Sequence, residues 1–226
     1  TCLHDDGAAY AAAGVQHICF VERSPGSGAP ALGFDYYALG CDMARRAIAD
    51  GCRNPAALLE SHAFSSQSEL LRGLRDVLDA RGLPLTCRQT ESSQCAGDAF
   101  DLLGAEIAPD AIFIGNYAFA QTLRSIIRHF HEGSPRLYSV SPLFALPMGD
   151  FTEFEMNYRL LGRRAAERLI ALIEDEGAPA PLQALPVDGV RSWLPPVCGK
   201  KKARRLSILT QDSPSINILR NVSRLY

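Results

Sequence analysis

Along the chain, short apolar runs alternate with stretches in which apolar residues recur every three or four positions. The first pattern suits buried strands and the second amphipathic helices, so their alternation predicts an α/β protein with parallel sheets flanked by helices. Val15–Val21 reads as a strand, Arg23–Gly33 as a Gly/Pro/Ser loop, and Tyr36–Ala49 as a helix with Tyr36, Gly40, Met43, Ala44, Ala47 and Ile48 on one face. Ala56–Glu60 is the next strand. Gln67–Ala80 is a helix whose Leu70, Leu74, Val77 and Leu78 share a side, stopped by Gly82-Leu83-Pro84.

Leu85–Arg88 is a weak strand and Ala96–Leu103 a poor helix, before the continuous apolar run Ala111–Gly115, which reads as a fully buried strand. Asn116 is placed to cap a helix over Ala118–His131, with Phe119, Leu123, Ile126, Ile127 and Phe130 along its stripe. Leu137–Val140 is a strand, and Tyr158–Asp175 a helix with Leu161, Ala165, Leu169, Leu172 and Ile173 facing inward until Gly177, Pro179 and Pro181 end it. Leu182–Val190 reads as a closing strand pair. Beyond the basic linker Cys198–Arg205, a short strand-then-helix unit spans Leu206–Tyr226.

Composition narrows the function classes. With 47% hydrophobic residues in 226, the chain can bury a substantial core. A net charge of −2 leaves no electrostatic footprint for nucleic acid, so DNA contact would come from outside this chain. The seven cysteines form no CxxC pair, which favours reduced, buried thiols in a cytoplasmic protein. No apolar run has the length of a membrane helix, and Thr1–Tyr10 has no signal-peptide pattern.

Candidate enzyme chemistry is sparse. His129 and His131 stand two apart on a helix and point in different directions, which argues against a metal pair. Gly26-Ser27-Gly28 is neither a P-loop nor a nucleophile elbow. Glu153 and Glu155 alternate along a strand or crossover and read as solvent-facing charge. No catalytic residue, metal ligand or cofactor is called for, and the chain is not expected to be an enzyme.

Four segments resemble a known pattern: Ala9–Arg23, where a helix ends in a small-Gly turn before a strand; Gly33–Gly40 (GFDYYALG); Pro109–Asn116 (PDAIFIGN); and above all Phe151–Leu169 (FTEFEMNYRLLGRRAAERL). In order and spacing they are similar to the effector-binding domain of LacI/GalR transcription regulators, over roughly Ala9–Val197. The resemblance implies a two-lobe, periplasmic-binding-protein-like (type I) fold, with an effector held between the lobes and part of the N-terminal lobe absent from this chain. It divides the chain into a partial N-terminal lobe over 1–60, a central part forming mostly the C-terminal lobe over 61–150, crossover, final helix and last strands over 151–198, and an extension over 199–226.

What the resemblance implies about function is the effector-sensing and dimerisation module of a repressor, bound to operator DNA only through a helix-turn-helix region outside this chain. The partners are then a small-molecule effector, sugar-like or atypical, and a second copy of the chain. A solute-binding protein of a sugar transporter shares the architecture and is the alternative. The effector contacts implied are Glu22, Ser66, Arg88 and Asn116. Three have a plainer reading, a surface acid at a loop start for Glu22 and helix caps for Ser66 and Asn116, while Arg88 could contribute charge.

The chain departs from the family where a sugar clamp is usual. Leu70 stands in place of an arginine, Pro142 in place of an acid, and Tyr117 in place of an aspartate. These departures disfavour the usual sugar or purine effector. The surplus apolar residues Phe119, Leu123 and Ile127 are read either as a dimer surface or as burial on the sheet.

Overall fold

The structure is a computed structural model that describes residues 20–21, 31–61, 65–130, 135–142, 149–174, 183–185 and 190–192. Nine strands and five helices lie among them: β1 (Phe20–Val21), β2 (Ala31–Phe34), α1 (Tyr36–Ala49), β3 (Pro55–Glu60), α2 (Ser65–Asp79), β4 (Thr86–Thr90), α3 (Cys95–Leu103), β5 (Ala111–Ile114), α4 (Tyr117–Phe130), β6 (Arg136–Pro142), β7 (Phe151–Met156), α5 (Tyr158–Ile173), β8 (Gln183–Leu185) and β9 (Val190–Ser192). The chain divides into the units Thr1–Leu194 and Pro195–Tyr226. The strand-helix unit expected over Leu206–Tyr226 lies outside the described residues.

One sheet has six strands in the order β4-β3-β5-β6-β7-β9, the other three in the order β1-β2-β8. The larger sheet is parallel from β4 through β7, and β9 closes it antiparallel. Period-two alternation sends Ala57, Leu59, Ala111, Phe113, Tyr138, Val140 and Phe154 to one face, where Met43, Ala44 and Ala47 of α1 and Leu70, Leu74 and Leu78 of α2 cover them. Ala56, Leu58, Ile112, Ile114, Leu137 and Phe151 go to the other face, against Ala99 and Leu102 of α3 and Phe119, Leu123 and Ile126 of α4. Burial on both faces explains why the central strands read as unbroken apolar runs.

Several expectations need correcting. Ala31–Phe34 is a strand, not part of a loop, because buried Leu32 and Phe34 flank Gly33 and the segment pairs with both β1 and β8. The expected strand pair over Leu182–Val190 is no pair: β8 joins β2 in one sheet and β9 joins β7 in the other. Pro55–Glu60 bonds to β4 and β5 in the six-stranded sheet.

Glu153 is 2% exposed rather than solvent-facing, since it sits inside the sheet with register partners Ser139 and Arg191 on its two sides. Ile173 is 58% exposed rather than inward-facing, whereas Leu161 of α5 is buried in the core and Leu160 and Ala165 pack partly against it. Phe119 and Leu123 belong to the protein's own core and Ile127 packs partly against it, so they do not form a free dimer surface.

The amino-terminal ends of the strands are tied by side chains. The Asp110 carboxylate accepts from the backbone N–H of Arg53 at 2.6 Å and of Asn54 at 2.9 Å, fixing the loop into β3 against the start of β5. Asp110→Ala leaves both donors without that acceptor and is expected to cost about 2 kcal/mol, a fall of about 4–8 °C in a thermal melt, with Asp110→Asn losing less. Nearby, the Tyr138 hydroxyl donates to Asp50 at 2.9 Å and lies 3.6 Å from the Cys52 sulfur. Burial raises the Tyr138 phenol above its ordinary value, and the Cys52 and Asp50 contacts add to this.

Four cysteines among the described residues are free thiols. Burial, with the Asp98 charge second, pushes Cys95 up to about 11, so it remains a protonated, unreactive core residue.

Candidate functional site

In a parallel sheet the carboxyl ends of the strands meet the amino ends of the following helices, where loops and backbone N–H groups can receive a polar ligand. Three neighbouring strands of the larger sheet end here in polar residues that bridge one strand end to the next. β3 finishes at Glu60, registered opposite Thr90 of β4, and the Ser61 N–H carries the ladder one step further by donating to the Thr90 carbonyl at 3.0 Å. The Ser61 hydroxyl then donates to the Glu91 carboxylate. On the other side, Leu58 is registered with Ile114 of β5, which brings Asn116 level with Glu60.

Asn116 is held from two directions. Its Oδ1 accepts from the Ala118 N–H at 2.8 Å, capping α4, and its Nδ2 donates to Glu60 Oε2 at 2.9 Å. The helix cap read from the sequence is therefore present, and the same side chain also bridges to a carboxylate. Gln67, in the first turn of α2, is only 6% exposed and donates through Nε2 to the Gly115 carbonyl at 3.2 Å. Its Oε1 lies over the Gly115 α-carbon and has no hydrogen-bond partner. A side chain at position 115 would push aside that amide and the end of the Leu70 side chain, so glycine here leaves room for Gln67 to lie against the turn.

The structure brings some of the expected contacts together and separates others. Ser66 lies in the first turn of α2, partly buried, and its neighbour Gln67 reaches the residue before Asn116, so these two segments converge. Ser66 is a helical residue rather than the residue preceding the helix. Arg88 is exposed on the outer strand β4, registered with Leu58 and two positions short of the strand end, and forms no hydrogen bond or ion pair with Asn116 or Ser66. Glu22 lies outside the described residues.

Sequence reasoning passed over Glu60, Glu91 and Gln67. The available signal was a buried run, Pro55–Leu59, ending directly in a carboxylate. Leu70, which takes the usual place of an arginine, is fully buried and supplies no cation. Among the described residues neither Glu60 nor Glu91 forms an ion pair, unlike Asp50, which meets Arg46 at 3.1 Å and Arg136 at 3.5 Å.

No family model and no curated protein matches the chain. Solved structures do. The Cra transcriptional dual regulator from Pseudomonas putida in complex with fructose 1-phosphate superposes with a TM-score of 0.70 at 15% identity, over 85% of this chain and 74% of that one. This chain has the fold of the LacI-type regulators. A LacI family transcriptional regulator from Enterococcus faecium with bound ribose gives 0.69 at 15% identity, over 83% and 72%. A dimeric Lac repressor with a C-terminal deletion gives 0.68 at 18% identity, over 84% and 73%. The likeness establishes a periplasmic-binding-protein-like α/β fold, with parallel sheets flanked by helices, as the LacI resemblance implied. No described helix is long and apolar enough to cross a membrane.

Proposed function

We propose that this chain is the effector-sensing and dimerisation domain of a LacI-type transcription regulator, taking a small polar molecule at the carboxyl ends of its parallel strands, and that it is not an enzyme. The observation that carries the reading is the polar row Glu91, Ser61, Glu60 and Asn116, at the edge where this fold offers strand ends and helix starts. Solved structures of the same fold include complexes with cellobiose, with fructose 1-phosphate, with ribose and with D-xylulofuranose. Asn116 is the expected centre of the contact, with Ser66, Arg88 and Glu22 as the further effector contacts. Binding would bias a dimer toward or away from operator DNA, which a region outside this chain would contact.

A thermal-shift panel of neutral sugars, amino sugars, sugar phosphates, nucleobases and small acids tests this directly. At least one compound should raise the melting temperature in a concentration-dependent way, by about 5–11 °C near a hundredfold excess over Kd. Asn116→Ala should cost about 1 kcal/mol through the lost cap and, separately, weaken that ligand roughly tenfold or more. A flat response across the panel contradicts the reading.

A transport solute-binding protein is the second reading, favoured by a structure described as periplasmic binding protein/LacI transcriptional regulator from Alkaliphilus metalliredigens, with a TM-score of 0.63. Cell fractionation of the parent protein separates the two, since a regulator stays with the chromosome and an exported binding protein does not.

A further inference from the structure

The dimer proposed above needs a face, and α4, the helix that the sequence offered for it, spends Phe119 and Leu123 on the protein's own core. Among the described residues five large apolar side chains stand exposed, and three of them, Tyr158, Ile170 and Ile173, lie on α5. Helical spacing puts Ile170 and Ile173 in one stripe with Ala166 and Gly162, all exposed and turned away from Leu161 and Ala165, which hold the helix to the core. Ile170 is 53% exposed, so the fold itself leaves this stripe open to a partner.

Resting on the reading of this chain as a dimer, we propose that two copies pair through the outer faces of α5, antiparallel, about a two-fold axis near Arg168. Antiparallel pairing sets Ile170 beside the partner's Ala166 and Ile173 beside the partner's Gly162, so each bulky side chain meets a small one. Parallel pairing sets isoleucine on isoleucine and glycine on glycine, which crowds one end and leaves the other open.

Charge points the same way. Arg163 and Glu174, at the C-cap, are both exposed and stand three helical turns apart, on one flank of the stripe. About 16 Å of helix separates them, too far for a contact within one copy. Among the described residues neither forms an ion pair, whereas Arg164 meets Glu167 at 2.9 Å. In the antiparallel pair each Arg163 comes level with the partner's Glu174, twice by symmetry. The parallel pair opposes like charges.

Sedimentation equilibrium of the full chain tests this on the wild type, on Ile170→Asp with Ile173→Asp, on Arg163→Glu, on Glu174→Arg, and on the charge swap that carries both reversals. The wild type should dimerise, and the two aspartates should weaken the dimer roughly a hundredfold or more. Each single reversal should weaken it about tenfold, and the swap should restore most of that loss. Rescue within one chain is excluded by the distance, and this readout does not depend on the aspartate variant folding.

A wild-type dimer that the aspartates leave intact, or a swap no better than either reversal alone, overturns pairing through α5 and leaves dimerisation to another face. A chain that stays monomeric at every concentration overturns the pairing and the dimerisation together, while effector sensing is decided separately by the ligand panel.

Discussion

Gly40→Ala should lower the melting temperature by about 6–12 °C, the equivalent of about 3 kcal/mol, and Gly73→Ala should do the same. Helices α1 and α2 cross at these two glycines. A methyl group on Gly40 would run into the Leu70 carbonyl oxygen and come within 3.0 Å of the Leu74 nitrogen. One on Gly73 would run into the Tyr37 carbonyl oxygen and come within 3.0 Å of the Cys41 nitrogen. These obstacles are backbone atoms of the opposing helix, so neither can swing aside and the helices must part. The control is Gly97→Ala or Gly162→Ala, where the added methyl meets nothing within 4 Å. Better helix propensity makes those changes neutral or stabilising by up to about 1 kcal/mol. Equal melts for the two sets would show that the crossing is looser than described.

The second large effect belongs to Phe113→Ala, expected to cost about 3–5 kcal/mol. Phe113 is fully buried in the central strand β5, under α1 and α2, with its ring centroid 5.4 Å from that of Tyr138. Removing the ring deletes apolar contact and leaves a cavity between a sheet and two helices already held apart by their own packing. Against a typical stability of about 5–15 kcal/mol, the loss should appear as a fall of about 6–20 °C and as poor recovery of soluble protein at 37 °C. A urea melt with unchanged slope and a lower midpoint would attribute it to stability alone.

The parts of the fold that depend on local pattern were readable from the sequence. The helix over Tyr36–Ala49 has the bounds its periodicity gave, and those over 65–79, 117–130 and 158–173 shift by two residues or fewer at each end. Apolar stripes at helical spacing and a terminal cap decide these elements, and both are properties of neighbouring residues. β2 was hidden because four residues containing Gly33 follow a Gly/Pro/Ser stretch, and only pairing with β1 and β8 makes them a strand.

The destinations of β8 and β9 were likewise not written locally. A sheet partner far away in sequence is chosen by topology, and the turn residues Pro186, Asp188 and Gly189 between the two strands point instead to a hairpin. The same limit explains the site. Asn116 could be read as a cap from its own surroundings, whereas its bond to Glu60 spans 56 positions and needs the β3–β5 register. Glu153 misled for a related reason. Charge on an alternating strand normally faces water, but two flanking strands bury this one.

Amide hydrogen exchange with and without a saturating ligand from the panel tests the central claim most directly. The account predicts slowed exchange at Glu60–Ser61, Thr90–Glu91 and Gly115–Ala120, where β3, β4 and β5 end, with little change at Arg53–Asn54 and Asp110 on the opposite edge. Slowing confined to that opposite edge, or to the outer surface of α5, would contradict it.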